Sequence, residues 1–137
     1  HRDLHRLIRR QRQMCIRDSR VKILLDLDTI ILPLDMAVPC GILINEIITN
    51  ILKYAFPNKM EGEISLKLKQ KDEKITLLQI KDNGIGIDPS APVEKDHALR
   101  MRLIHALSDQ LNAGIKIISE KTGTTYTLTL NLSTLNV

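Results

Sequence analysis

The segment GILINEIITNILKYAF, residues Gly41–Phe56, decides the fold, because its residues repeat with the period of an amphipathic helix. At 100° per residue, one side of the helix is an apolar stripe, which predicts packing on a sheet. The stripe consists of Ile44, Ile47, Ile48, Ile51 and Ala55. The opposite side carries Glu46, Asn50 and Lys53 at i, i+4 and i+7, with Thr49 among them and Tyr54 at the edge. The segment therefore predicts one long helix with a buried apolar face and a polar row.

The rest of the chain predicts strands around this helix. Val21–Leu27 combines Ile and Leu with polar alternation, which is typical of a strand. Asp35 and Pro39 mark the start of the helix, which we predict from about 36 to 56. The other predicted elements are strands at Gly62–Gln70, Lys74–Asp82, Ile115–Ser119 and Thr124–Leu132, and a second helix at Ala98–Leu111. This order predicts an α/β (α+β) two-layer sandwich, with a mixed or antiparallel sheet and the helices on one face.

The polar row has the chemistry of a metal and phosphate site. The carboxamide of Asn50, with the carboxylate of Glu46 nearby, is a hard-oxygen environment. Mg²⁺ prefers such an environment, because it binds few protein ligands and keeps phosphates and waters. Lys53, one turn on, could place a point charge on a phosphate. The same three side chains could instead form a ladder on a solvated helix face, and the helix alone leaves both interpretations open.

A second motif, DNGIGID at Asp82–Asp88, follows the third predicted strand. The carboxylate of Asp82 could accept a hydrogen bond from an exocyclic amine such as that of adenine. Gly84 and Gly86 let the backbone come close to a flat base. The alternative is a plain Asn-Gly hairpin turn. The two prolines that follow make a poor return strand, and this favours a binding loop.

The net charge of +4 lies entirely in the first nineteen residues. Residues 1–19 hold six of the 20 basic and two of the 16 acidic side chains, which leaves 14 of each in residues 20–137. Back-translation of residues 1–19 resembles a flow-cell adapter followed by a tagmentation primer, both used in DNA sequencing. We therefore interpret residues 1–19 as a non-native, unpacked tail and residues 20–137 as one domain. A neutral domain gives no reason to expect nucleic acid binding.

The cysteines indicate a reducing compartment, because Cys15 and Cys40 form neither a disulfide framework nor a metal-binding spacing. Cys40 is interpreted as a small buried apolar residue. No apolar run approaches the length of a bilayer span. We expect a cytoplasmic domain without membrane contact, and a membrane anchor elsewhere in the parent protein stays open.

Three segments together resemble the ATP-binding catalytic domain of sensor histidine kinases. They are NEIITNILKYAFP, DNGIGI and GTTYTLTL, and the resemblance covers nearly all of residues 21–137. It implies the Bergerat-type fold of the gyrase/Hsp90/histidine-kinase/MutL ATPase superfamily. The chain is most similar to the subfamily whose phosphoacceptor domain is of the second HisKA type. It has Tyr54 where the related HWE kinases carry a histidine.

The resemblance implies ATP and Mg²⁺ as cofactors and assigns the polar row to them. Asn50 would coordinate Mg²⁺, and Glu46 would assist or position water at the metal. Lys53 would contact the phosphates, and Tyr54 would line the base. The implied reaction is in-line transfer of the γ-phosphoryl group to a histidine. The partners would be a phosphoacceptor and dimerisation domain, absent from this chain, and a response regulator downstream.

The same resemblance assigns the adenine pocket to the DNGIGI motif and the last hairpin. Asp82 would bind the adenine amine, and Gly84 and Gly86 would shape the pocket. Thr124, in the Gly-Thr pair, would lie near the adenine. Residues of about 88–101 would form the flexible lid over the nucleotide.

One position departs from the family. Where histidine kinases have a glycine-containing box opening the second helix, this chain has LRMRLI at Leu99–Ile104, with Arg100 in place of the glycine. That glycine lets backbone N–H groups approach phosphates. Arg100 could supply a compensating charge to the nucleotide, or its bulk could weaken phosphate binding. We favour the second alternative.

Three functions stay in competition on the sequence alone. The leading one is the catalytic domain of a two-component sensor kinase. The absence of a phosphoacceptor helix pair would equally fit a stand-alone serine kinase of the anti-sigma-factor type. Arg100 would fit a degenerate nucleotide-binding module without transfer activity. His105, beside Arg102 and Asp109, is interpreted as a surface histidine rather than a phosphoacceptor.

Overall fold

The computed structural model of the protein describes residues 14–16, 20–58, 60–87 and 94–132. Its elements are β1 Met14–Ile16, β2 Val21–Leu27, α1 Leu34–Tyr54, β3 Gly62–Gln70, β4 Ile75–Asp82, α2 Lys95–Gln110, β5 Gly114–Glu120 and β6 Gly123–Asn131. The strands form a six-stranded mixed sheet in the order β1-β2-β3-β4-β6-β5. The predicted α/β sandwich with a mixed sheet is therefore confirmed.

The sheet pairing places the ends of β4 and β6 side by side. β2 and β3 are parallel, with Ile23 opposite Ile64, and the chain between them contains α1, because parallel neighbours need a crossover connection. All other pairs are antiparallel. In the pair of β4 and β6, Lys81 lies opposite Thr125. The last residue of β4 and the first residues of β6 therefore meet at one edge.

The buried face of α1 is rotated from the predicted stripe. Leu43 and Ile47 have no exposed surface, whereas Ile44 and Ile48 are only partly buried. The buried residues of α1 are Met36, Pro39, Cys40, Leu43, Ile47, Asn50 and Ile51. α2 packs on a second side of α1, so the helix is covered on more than one stripe. Cys40 is buried, as predicted.

By length and composition α1 could cross a bilayer, with a mean hydropathy of 1.3 over 18 residues. The sequence expectation of no apolar segment of that length was therefore wrong. The helix nevertheless packs as a core helix, because Leu43 and Ile47 are enclosed against the sheet. Apolar surface already buried in the protein has no hydrophobic gain left from a bilayer.

Both helices begin earlier than predicted. α1 starts at Leu34, where the carbonyl of Pro33 accepts from the N–H groups of Met36 and Ala37. Pro39 therefore lies inside the helix rather than in its first turn, where it cannot donate to the preceding turn. α2 starts at Lys95 instead of residue 98. The residues assigned to the end of the lid are consequently helical.

Most of the predicted tail, residues 1–19, lies outside the described residues, as do residues 88–93 of the predicted lid. Within the tail, Met14–Ile16 pairs antiparallel with β2, with Cys15 opposite Lys22. β2 would otherwise be an edge strand with unpaired backbone groups, which accept an added strand with little sequence requirement. The division into a tail and a domain stays a prediction.

Candidate functional site

The first part of the site is a buried carboxylate at the end of β4. Asp82 is 2% exposed. Its Oδ1 accepts hydrogen bonds from the N–H groups of Gly84 at 2.8 Å and Thr124 at 3.3 Å. Burial raises the pKa of Asp82, and the two backbone donors oppose this. From the described residues, Oδ2 accepts no hydrogen bond. Asp82 can therefore accept one further donor.

The glycines after Asp82 allow a close approach of the chain to itself. A Cβ on Gly84 would overlap the carbonyl of Ala55, and a Cβ on Gly86 would overlap the carbonyl of Glu120. Gly86 also has φ of +77°, which side chains rarely adopt. The N–H of Ile85 donates to the carbonyl of Ala55 at 3.0 Å. The loop is thus held between the end of α1 and the β5–β6 hairpin.

A pair of hydroxyl groups closes this loop from the hairpin side. Ser119 Oγ accepts from the N–H of Ile87 at 2.6 Å and lies 2.8 Å from Thr124 Oγ1. Thr124 is 3% exposed, and its N–H is one of the donors to Asp82. The structure therefore brings Thr124 to Asp82, beside the two glycines. Ser119 belongs to no motif in the sequence, because a serine at the end of a strand carries no motif signal.

The second part of the site is the polar row of α1, and two of its charges pair with α2. Glu46 accepts from Arg100 Nη1 at 2.5 Å, and the two side chains are 18% and 15% exposed. Lys53 Nζ lies 2.8 Å from Asp96 Oδ2, with both side chains about half exposed. This hydrogen bond from Lys53 is the main reason that the pKa of Asp96 is lowered. The row contacts α2 across the groove between the helices.

The amide of the same row is buried rather than solvated. Asn50 is 2% exposed. Its Nδ2 donates to the hydroxyl of Tyr126 at 3.0 Å, and its Oδ1 lies 3.0 Å from Nδ1 of His97. A carboxamide oxygen can only accept, so His97 is the donor. Both ends of the Asn50 side chain are therefore occupied by protein groups.

Tyr54, the last residue of α1, contacts the residues at the start of α2. Its hydroxyl is 3.4 Å from a carboxylate oxygen of Glu94 and 3.3 Å from one of Asp96. Its ring meets the ring of His97 edge-on at 4.9 Å between centroids. Desolvation raises the pKa of Tyr54, and the two carboxylates raise it further. Tyr54 thus belongs to the same cluster as the row.

Arg100 is directed at the polar row. Besides its bond to Glu46, its Nη2 lies 3.6 Å from Asp96. Its Nε is buried and has no hydrogen-bond partner among the described residues. A buried donor without a partner costs free energy, so the side chain is held there despite an imperfect fit.

The two parts of the site meet at the C-terminal end of α1. Ala55 follows the last residue of α1 and accepts from the loop at Ile85. Tyr126 also connects the two parts, because its hydroxyl accepts a hydrogen bond from Asn50. Burial raises the pKa of Tyr126, and the nearby charge of Asp82 adds to this. Both parts of the candidate site therefore border the C-terminal half of α1.

The donor set of the groove suits Mg²⁺. The described residues contain no group of three His, Cys, Asp or Glu side chains that could hold a metal ion. The polar row has instead one amide oxygen and one carboxylate, from Asn50 and Glu46, one turn apart, and in the described conformation both are bonded to α2. Such a sparse oxygen set fits an ion that takes most of its ligands from phosphates and waters.

Comparison with known proteins gives a consistent set of relatives. The family described as histidine kinase-, DNA gyrase B-, and HSP90-like ATPase matches residues 38–134. Blue-light-activated histidine kinase 2 of Erythrobacter litoralis is 26% identical over 113 residues, which are 82% of this chain and 33% of that protein. The chain thus spans about a third of the length of that curated relative.

Solved structures agree with this assignment. The histidine kinase domain of the E. litoralis EL346 blue-light-activated kinase has a TM-score of 0.76 and 25% identity, covering 95% of this chain and 59% of that chain. The mycobacterial sensor histidine kinase MprB has a TM-score of 0.63 and 19% identity, covering 95% of this chain and 89% of that chain. The second likeness shows a shared fold.

Proposed function

The chain belongs to the histidine kinase-, DNA gyrase B-, and HSP90-like ATPase family, and from this premise we propose that it is the ATP-binding catalytic domain of a two-component sensor histidine kinase. The observation that carries the proposal is Asp82, a buried carboxylate with one oxygen still able to accept, beside the polar row of α1. A buried acceptor of this kind selects a ligand that brings a donor.

The adenine base occupies the pocket around Asp82 in this proposal. Its exocyclic amine donates to Oδ2 of Asp82, while Oδ1 stays bonded to Gly84 and Thr124. Gly84 and Gly86 hold the loop close to the end of α1 and to the hairpin. The glycines therefore shape the pocket by allowing the protein backbone to pack tightly, in addition to leaving room for a flat base.

The phosphates and Mg²⁺ belong to the polar row. Asn50 Oδ1 would coordinate the metal, Glu46 would hold a metal-bound water, and Lys53 would contact a phosphate. When bound, Mg²⁺ supplies charge neutralisation on the phosphates of ATP. The protein contributes positioning, because the three side chains project from successive turns of one rigid helix.

Nucleotide binding in this proposal requires an exchange of partners. Asn50, Glu46 and Lys53 are each bonded to a residue of α2 in the described conformation. The metal and phosphates need the same atoms. The N-terminal half of α2 must therefore move away from α1 as Mg²⁺ and ATP enter, and the free energy of the contacts that break is subtracted from the affinity.

The phosphoryl acceptor is a histidine on a separate phosphoacceptor and dimerisation domain of the parent kinase, from which a response regulator would receive the group. The histidines of α2 suit this role poorly. His97 is bonded to Asn50, and a group that must be displaced for ATP to bind is not placed for in-line attack. His105 lies two turns further along α2, on its exposed surface.

A nucleotide titration tests the proposal. The full chain is titrated with a fluorescent ATP analogue, with and without Mg²⁺, and competed with ATP. We expect saturable, Mg²⁺-dependent binding that Asp82→Asn weakens at least tenfold while the far-ultraviolet circular dichroism stays unchanged. Absence of binding at millimolar nucleotide by the folded protein would show that the proposal is wrong.

A further inference from the structure

We propose that Ser119 is a positioning residue that makes the pocket selective for adenine over guanine, an inference that rests on the proposed function. Ser119 contacts no part of the polar row. Its hydroxyl joins the end of the DNGIGI loop, at Ile87, to Thr124 in the hairpin. No motif or family role assigned above includes it.

The hydrogen-bond capacity of Ser119 allows Thr124 to donate to a ligand, and in this proposal Ser119 is the donor of the pair. A serine hydroxyl has one hydrogen to donate and two lone pairs to accept with. One lone pair of Ser119 is used by the N–H of Ile87, in a bond of only 2.6 Å. Its hydrogen is then available to Thr124 Oγ1, 2.8 Å away. With Ser119 as the donor, the hydrogen of the Thr124 hydroxyl is left to be donated to a ligand.

The resulting pair of groups matches adenine. Asp82 offers an acceptor at Oδ2, and Thr124, whose N–H is bonded to the same carboxylate, offers a donor beside it. The Watson–Crick edge of adenine presents an amine donor next to a ring-nitrogen acceptor. That of guanine presents a carbonyl acceptor next to an N–H donor, which is the reverse order. A site with its polar groups in one order rejects the reversed edge, because buried groups are left unpaired.

The second contribution of Ser119 is to close the loop. The loop is bonded at its start through Asp82 Oδ1 to Gly84, and at its end through Ser119 to Ile87. Gly86 packs between these points against the carbonyl of Glu120, next to Ser119 in β5. Ser119 is itself exposed, so in a variant water can satisfy the N–H of Ile87, whereas an exchanging water does not fix the direction of the Thr124 hydroxyl. Its removal should therefore alter binding much more than folding.

The test compares Ser119→Ala and Ser119→Thr with the unchanged chain in the affinities for ATP and GTP. Both are measured by displacement of a fluorescent nucleotide. We expect Ser119→Ala to weaken ATP binding about three- to tenfold, the effect of roughly one hydrogen bond, and to leave the weak GTP binding unchanged. The ATP-to-GTP ratio therefore shrinks by the same factor, and Ser119→Thr, which keeps the hydroxyl, restores it. Thr129→Ala, at an exposed position of β6, is the matched control and should change neither affinity.

Two results would overturn the role of Ser119. Unchanged ATP affinity in Ser119→Ala would show that the hydroxyl positions nothing. An equal loss for ATP and GTP would show that it only supports the loop. Absence of nucleotide binding by the unchanged chain is a different result, because it removes the proposed function itself and this inference with it.

Discussion

Replacement of Arg100 by alanine should raise the affinity for Mg²⁺–ATP, although it removes a positive charge beside a phosphate site. The Glu46–Arg100 pair is largely buried, with side chains 18% and 15% exposed, and a charge-assisted hydrogen bond of this kind contributes about 1.5–3 kcal/mol. Residual solvent access reduces this to about 1–1.5 kcal/mol. In the proposed function nucleotide entry breaks this pair, so its removal should tighten binding about five- to tenfold.

The assay is a titration of the fluorescent ATP analogue in Mg²⁺ buffer at fixed ionic strength. Arg102→Ala is the matched control, because Arg102 lies on the same helix, is exposed and has the same charge. It should leave the affinity unchanged apart from a general charge effect. Weaker binding in Arg100→Ala than in Arg102→Ala would refute the reasoning and would show that Arg100 contacts the phosphates. The melting temperature should change little, because the variant also removes the buried Nε without a partner.

Asp82→Asn should lower ATP affinity at least tenfold without lowering the melting temperature. The amide oxygen of the asparagine can still accept from the two backbone donors, and burial disfavours the charged carboxylate that it replaces. A drop in both the affinity and the melting temperature would assign Asp82 to folding. As the pH is lowered, ATP affinity should begin to fall at a pH above the usual pKa of an aspartate, because the pKa of Asp82 is raised and protonation removes the acceptor. Because the pKa of Asp82 is higher in the folded state than in the unfolded state, protonation of Asp82 at low pH favours the folded state. Gly86→Ala should lower the melting temperature by several degrees and prevent binding, because its Cβ would overlap the carbonyl of Glu120 at a φ of +77°; a stable, binding variant would contradict this. Asp96→Asn should free Lys53 and tighten ATP more than adenosine, and equal gains for the two would exclude an effect through the phosphates.

The strands and the two-layer architecture follow from short-range patterns, and this is why the sequence predicted them. β4 alternates buried Leu78 and Ile80 with less buried neighbours, and a strand with one face on the core has its register fixed by that alternation. The position of the Gly-Thr pair beside Asp82 follows from the pairing of β6 with β4. The sequence pattern did not predict this pairing, and only the family resemblance placed Thr124 near the adenine.

The groove between the helices was less predictable, because its contacts join distant parts of the chain. Arg100 and Glu46 are 54 residues apart, and no helical period relates them. The start of α2 was placed too late because Lys95, Asp96 and His97 lack an apolar pattern. Asp96 and His97 instead contact side chains of α1, and the local sequence pattern contains no information on such contacts.

These contacts argue against one interpretation of the polar row, a ladder on a solvated helix face. A ladder within α1 would have paired Glu46 with Asn50 and Lys53 and left all three facing water. Each of them is instead bonded to α2, and Asn50 is almost fully buried. α2 presents a cation, Arg100, to the acid and an anion to the lysine. In the proposed complex a metal ion would likewise present a positive charge to Glu46, and a phosphate would present a negative charge to Lys53.

A helix that supplies the charges of the ligand stabilises the site without the ligand and competes with it for the same atoms. The affinity for nucleotide is then set by the difference between the two sets of contacts rather than by the ligand contacts alone. Variants of α2 should therefore change nucleotide affinity without touching the nucleotide. A double variant of Arg100 and Asp96 tests this, because Arg100 contacts both Glu46 and Asp96. Its gain in affinity should differ from the sum of the single gains, as expected of residues in one network, whereas strict additivity would mean that the two contacts break independently.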